Sequence, residues 1–257
     1  MIELKSAREI GLMRRAGHIL SEVVERLRTS VKPGLSTAEI DADVEDYIRS
    51  KGARPAFKGY RGFPATVCIS INEEVVHGIP SAQRHVKEGD IVGLDLGCIV
   101  EGYYADCAFT VAVGEVTPRV QQLLDVTRES LEAGIAECRP GRRLSDVSHA
   151  IQTHVESHGF SVVRAFVGHG IGRALHEEPQ VPNFGDPGRG PQLRPGMVLA
   201  LEPMVTMGSW EVRILDDGWT AVTKDGSLAA HFEHTIAVTE AGPEVLTSTS
   251  GGPVRAA

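Results

Sequence analysis

The sequence predicts an α/β (α+β) fold built twice, as two matched halves, and three observations lead to it. Lys32-Pro33-Gly34 is answered by Arg139-Pro140-Gly141, Gly89 by Gly196 and Asp95 by Glu202, all at one offset of 107 residues. Each half also runs in the same order of helix, Pro-Gly turn, helix and strands. Finally, Asp95 and Glu202 each end a mostly apolar run that reads as a buried strand. Burying a charge is tolerated only when it is paired or binds a metal, so matched acids ending matched strands point to one site shared by two half-domains.

The elements follow in order. Ser6 caps a helix to about Arg28, with Ile10, Met13, Ala16, Leu20, Val23 and Leu27 along one face. After Lys32-Pro33-Gly34, Ser36 and Glu39 form a capping box for a second helix, which stops at Gly52. Thr117-Pro118 opens a third helix to about Cys138. Ser145 is read as the cap of a fourth, stopping at Gly159. Strand-like stretches cover 65–71, 90–100, 103–113, 162–167, 197–206, 211–215 and 231–239. Residues 1–246 are expected to form one domain with halves at about 6–115 and 118–240. Residues 247–257, rich in Ser, Thr, Gly and Pro, read as a disordered tail.

The site emerges from one hairpin. If Glu101-Gly102 is its turn, Asp95 faces Ala108 and Asp106 faces Gly97. Period-two alternation then makes Asp95 and Asp106 diagonal neighbours on one face, roughly 7 to 8 Å apart at the backbone. Cys107 points to the other face as a packed thiol. The second half offers Glu202 in its first matched strand and Glu233 in HFEHTIAVTE, the counterpart of ADCAFTVAVGE, with a hairpin longer by about twenty residues. His169 sits among Gly168, Gly170 and Gly172, which permit close backbone approach and unusual dihedrals. Four carboxylates and an imidazole are a hard donor set suited to two divalent ions such as Mn, Fe, Co or Zn. Such a pair can share a water and lower its pKa toward neutrality, which is hydrolase chemistry. Any one of these acids alone could be an edge or capping residue; the two symmetric pairs carry the argument. The glycine-rich loop lacks the GxxxxGK[ST] spacing of a phosphate loop. His18, His85, His149, His154 and His158 read as solvated surface residues.

Composition narrows the class. The 257 residues are 42% hydrophobic, enough for a sizeable core, and the net charge of −8 argues against a dedicated nucleic-acid binder. The charged N-terminus lacks the apolar core of a signal peptide and no run reaches transmembrane length, so a cytoplasmic location is expected. Cys68, Cys98, Cys107 and Cys138 form no CxxC pair and are expected to be reduced.

The segments YRGFPATVCISINEEVVHGIP, GDIVGLDLGCIVEGYYADCAFTVAVG, GHGIGRALHEEPQVPNFG, MVLALEPMV and HFEHTIAVTE resemble the bacterial-type, type I methionine aminopeptidases from the first helix to Val238. The resemblance implies a duplicated pita-bread fold, a central antiparallel sheet with helices on its outer face. It further implies that Asp95 chelates one ion, that Asp106 and Glu233 bridge both, and that His169 and Glu202 complete the second, with Glu202 also transferring a proton. His77 and His176 would contact the substrate, and Tyr60, Phe63, Cys68 and Trp219 would form a small apolar pocket for methionine. The implied activity is removal of the initiator methionine from nascent proteins when the next residue is small. Ribosome contact would be transient and the chain a monomer. Phe57, Leu175 and His231 depart from the family's common residues without touching a ligand position. A proline peptidase of the same fold would normally carry an extra N-terminal domain, a type II enzyme a long helical insertion, and a metal-free binding protein would lack the ligands.

Overall fold

The computed structural model describes residues 2–248. Helix α1 (Ala7–Ser30) begins at a capping box: the Ser6 hydroxyl accepts from the Glu9 N–H at 3.4 Å, and the Glu9 carboxylate accepts from the Ser6 N–H at 2.8 Å. Helix α2 (Thr37–Ser50) repeats the device with Ser36 and Glu39, and the chain leaves it through Gly52 at φ 74°. Helix α3 (Pro118–Glu137) starts as expected, with Thr117 as its cap and proline in its first turn. The start of α4 (Leu144–Ser157) corrects the sequence reading, because its cap is Arg143 and not Ser145. Asp146 accepts from the Arg143 N–H at 2.8 Å, whereas the Ser145 hydroxyl accepts from Arg189 N–H. The offset of 107 explains the change, since it maps Ser36 onto Arg143 and Glu39 onto Asp146. The repeat kept the carboxylate arm of the box and lost the hydroxyl.

Among the described residues there are fifteen strands, numbered in chain order. The first half holds β1 (Arg54–Pro55), β2 (Val67–Ile71), β3 (Glu74–Val76), β4 (Ile91–Val100) and β5 (Tyr103–Ala112). The second begins with β6 (Ser161–Val162), β7 (Gly168–Gly170), β8 (Glu177–Val181), β9 (Val198–Leu201) and β10 (Met204–Thr206). It ends with β11 (Val212–Ile214), β12 (Ala221–Thr223), β13 (Ala229–His231), β14 (Glu233–Thr239) and β15 (Gly242–Val245). The main sheet runs β1-β4-β5-β14-β9-β7-β8, with β2 also on β4 and β15 also on β14, and every pairing in it is antiparallel. Smaller sheets join β13-β10-β6 and β11-β12-β3.

Alternation along the sheet separates core from site. Leu94, Leu96 and Cys98 on β4, with Cys107 and Phe109 on β5, pack in one cluster with Ala16, Leu20, Val23 and Leu27 of α1. The residues between them face the other way. All four cysteines are free and buried. Three predicted strands are interrupted: 162–167 forms strand only at its start, 197–206 breaks at Glu202-Pro203, and 231–239 breaks at Phe232. Pro203 cannot donate to a ladder, which ends β9 at the acid itself. Glu202 therefore lies just beyond its strand, whereas Asp95 lies inside one. Thr247, assigned by sequence to the tail, is buried and its hydroxyl pairs with His234 Nδ1 at 2.8 Å. The rest of that tail, from residue 249, lies outside the described residues.

Candidate metal centre and substrate pocket

Cross-strand register assembles the candidate ligands. Around the tight Glu101-Gly102 turn, Asp95 pairs with Ala108 and Asp106 with Gly97, as the sequence predicts. Strand β14 then places Glu233 opposite Ala108 from the other side, which gives a row Asp95–Ala108–Glu233 across three strands. Residues in one row point to one face. The next row contains Gly97 and Asp106, and His169 enters it through Ala200, which pairs with both His169 and Thr235. Ala108, Ala200 and Gly97 thus alternate with the functional side chains. Their small size leaves the room that the larger side chains share.

The β5–β14 ladder has only two backbone pairs, and two threonines continue it. The Thr235 hydroxyl accepts from the Asp106 N–H at 3.0 Å and donates to the Asp106 carbonyl at 2.8 Å. Thr110 does the same for the backbone of His231, at 2.9 Å in both directions. Sequence reasoning missed both. Extending the register from Ala108 and Glu233 by two residues would have found Thr235 opposite Asp106.

The glycines around His169 are explained by crowding. A Cβ on Gly168 would lie 2.4 Å from the Ala200 carbonyl oxygen, and one on Gly170 2.2 Å from that of Glu178. None of the three has positive φ, so close approach and not a left-handed backbone accounts for them. Positive φ falls instead on His77, at 62°, a residue type for which that backbone is uncommon. Gly78 follows it because a Cβ there would meet the Ile69 carbonyl oxygen at 2.1 Å.

Electrostatics set this cluster apart. Burial drives the Asp95 carboxyl up to about 7. Burial, then neighbouring carboxylates, push Asp106, Glu202 and Glu233 well above the ordinary range. Burial lowers His169 to about 4, and its Nδ1 donates to the Gly170 carbonyl at 2.9 Å, which leaves Nε2 as a lone pair 3.5 Å from Glu202 Oε1. Asp95 Oδ1, Asp106 Oδ1 and Glu233 Oε1 are buried without a hydrogen-bond partner. Ligand atoms of Asp106, His169 and Glu233 lie within 4.8 Å of one another. Carboxylates gathered this closely, with orphaned oxygens and a lone-pair imidazole, fit a multivalent cation.

A cavity of about 170 Å³ opens on this cluster and is lined by every residue expected from the sequence to bind metal or substrate: Tyr60, Phe63, Cys68, His77, Asp95, Asp106, His169, His176, Glu202, Trp219 and Glu233. Phe57, Arg61 and Leu175 complete it. Trp219 meets Phe63 edge-on at 5.1 Å and His77 at 6.2 Å. The Tyr60 hydroxyl lies 2.8 Å from His176 Nδ1. His231 stays behind the candidate ligands, buried, its Nε2 4.0 Å from Glu233 Oε2. Asn183, also unforeseen, donates to the Glu202 carbonyl at 3.0 Å. Among the surface histidines, His154 is half-buried 3.3 Å from Glu129 Oε2, so it is less solvated than expected.

Comparison with known proteins agrees with this geometry. Residues 11–240 match the model of metallopeptidase family M24. The chain is 53% identical to methionine aminopeptidase 1 of Bacillus subtilis over 96% of this chain and 99% of that one. It is 45% identical to methionine aminopeptidase 1 of Mycobacterium tuberculosis over 96% and 95%. The crystal structure of methionine aminopeptidase from Thermotoga maritima superposes with a TM-score of 0.95 at 50% identity, covering 96% of this chain and all of that one. Prolidase from Pyrococcus furiosus shares the fold, with a TM-score of 0.78 at 22% identity, 96% of this chain matching 65% of that one. No helix among the described residues is long and apolar enough to cross a membrane. The orphaned carboxylates, the aromatic pocket beside them and these matches over nearly the whole length lead to one conclusion: the chain belongs to metallopeptidase family M24 and, within it, to the methionine aminopeptidases.

Proposed function

We propose that this protein removes N-terminal methionine from polypeptides whose second residue is small, using two divalent cations held by Asp95, Asp106, His169, Glu202 and Glu233. The observation that carries the reading is the convergence of those five side chains beside a confined aromatic pocket. The donor set suits Mn, Fe, Co or Zn. When bound, such ions lower the pKa of a water toward neutrality and polarise the scissile carbonyl.

The protein groups take the remaining roles. Tyr60, Phe63, Cys68 and Trp219 hold the methionine side chain. Tyr60 Oη lies 2.8 Å from His176 Nδ1; in the tautomer in which the Tyr60 O–H donates across that contact, the His176 Nε2–H is free to donate to the scissile carbonyl oxygen as negative charge grows there. His77, lowered to about 4 by burial, is neutral at physiological pH and offers a second imidazole contact to the substrate backbone. Glu202 takes the proton of the attacking water and returns it to the leaving amine. A pocket this small orients one flexible side chain and excludes a bulky neighbour at the cleaved bond.

The substrates in the cell would be the N-termini of nascent chains, met during brief contact with the ribosome by a cytoplasmic monomer. Cleavage of Met-Ala-Ser, Met-Arg-Ser and Ala-Pro peptides, before and after chelation and with Mn or Co restored, is the test. Activity on Met-Ala-Ser alone, lost to chelator and regained with metal, is expected. Equal turnover of Met-Arg-Ser, or preference for Ala-Pro, would overturn the substrate assignment.

A further inference from the structure

Lys5 is an anomaly in its setting. Its side chain is 3% exposed, yet it carries a charge, and it lies in the segment before α1, far from the ligand cluster in sequence. Lysine is almost never fully buried unless paired. Its ammonium donates to Glu177 Oε2 at 2.6 Å and to the exposed Glu3 at 3.0 Å. Its backbone N–H donates to the Gly196 carbonyl at 2.7 Å, which fixes the segment against the loop before β9.

Glu177 follows His176 directly and closes the turn that carries it. The other carboxylate oxygen, Oε1, accepts from the N–H groups of Arg173 and Ala174 at 2.7 and 3.1 Å. One carboxylate therefore ties both ends of residues 173–177, and Lys5 anchors that carboxylate. Gly172 makes the approach possible: a Cβ there would lie 2.2 Å from Lys5 Cε. The third glycine of the Gly168–Gly172 run thus makes room for a lysine, while the first two admit backbone carbonyls. The near end of the turn is fixed by Ile171 N–H to the Val198 carbonyl and Tyr104 N–H to the Gly172 carbonyl. At the far end, the His176 ring has, among the described residues, only the Tyr60 hydroxyl as a hydrogen-bond partner.

We propose that Lys5 is a positioning residue for His176: through Glu177 it holds the 173–177 turn so that the His176 imidazole points at the scissile carbonyl. The proposal rests on the reading of His176 as the group that donates to that carbonyl. Lys5 does not line the cavity and its hydrogen bonds go to Glu3, Glu177 and Gly196, so its loss should lower kcat while leaving KM and metal content in place. A misplacement of about 1 Å at such a group costs up to roughly a hundredfold, and loss of this anchor is expected to cost about tenfold.

The test is a cycle on Met-Ala-Ser peptide with the metal-loaded full chain, comparing wild type, Lys5→Met, His176→Ala and the double variant, with Glu177→Gln as a second way to cut the anchor. His176→Ala should lower kcat by roughly a hundred to a thousandfold with metal retained. Lys5→Met should lower it about tenfold, and in the His176→Ala background should lower it no further, because a group acting through another is non-additive with it. Glu177→Gln should reproduce the effect if Lys5→Met folds poorly. An unchanged kcat in both Lys5→Met and Glu177→Gln beside a slow His176→Ala overturns the positioning role alone, as does a full tenfold loss on top of His176→Ala. A His176→Ala enzyme as fast as wild type overturns the underlying reading of His176 and the positioning role with it.

Discussion

The two halves solve one problem differently. In the first, β4 and β5 pair without interruption from Ile91↔Ala112 to Val100↔Tyr103, and both acids sit inside the ladder. In the second, β9 stops at Leu201, an excursion through β10 to β13 intervenes, and β14 returns with Glu233. The regular hairpin fixes two carboxylates by backbone register alone. The broken one places Glu202 at a strand end and uses the inserted chain to bring in Trp219 and to pair β12 with β3, the strand leading to His77. Register within one hairpin sets two of the carboxylates, while the opened hairpin adds Trp219 to a pocket wall that Tyr60, Phe63 and Cys68 of the first half largely build.

The sharpest way to break this comparison is at the seam. Asp106→Asn and Glu233→Gln, one from each half, are expected to abolish both bound metal and peptide cleavage. His231→Ala should lose at most roughly a hundredfold, the scale for groups that only support ligands. Metal analysis of the purified variants decides, and normal stoichiometry in Glu233→Gln would show that the second half is not a ligand donor at that position.

A smaller effect is expected at the threonines that stitch the halves. Thr235→Val leaves the buried N–H and carbonyl of Asp106 unpaired, which should destabilise the fold by about 1–3 kcal/mol, while Thr235→Ser keeps the hydroxyl and most of the stability. Denaturant unfolding measures both. Equal stability of the Val and Ser variants would show that the seam does not depend on those bonds.

The smallest effect concerns the helix starts. Ser36→Ala removes a hydroxyl cap and should cost about 1 kcal/mol. Arg143→Ala, at the matching place, keeps its backbone bond to Asp146 and should stay within about 0.5 kcal/mol. A larger loss at Arg143 would mean that the bond its Nη1 donates to the Gly190 carbonyl, at 3.0 Å, contributes to stability in place of a cap.

Legibility followed how local each signal was. Ser6 and Ser36 announced α1 and α2 because each box closes within four residues. The Asp95–Asp106 geometry followed from one turn and period-two alternation. Long-range placement was less readable: nothing local in His169 says that it joins a row through Ala200, although the glycines around it marked close approach. The break at Pro203 was visible as a proline but was covered by the apolar run before it. Lys5, Thr235 and Asn183 were silent because each acts on a partner far away in sequence. Ser145 misled because serine is the commoner cap, and only the offset points to Arg143.

The pairing of β5 with β14 also has a meaning in time. Asp95 and Asp106 come together across a two-residue turn, the kind of local contact that chains make early. Glu233 reaches Ala108 only after the long loop between them has closed, the kind of contact that chains make late. During synthesis the first half emerges complete while its counterpart is still being built. The two carboxylates of the first hairpin need only residues 91–112 to meet, whereas the full set of five proposed ligands needs Glu233, so the site can be completed only after the second half has been made.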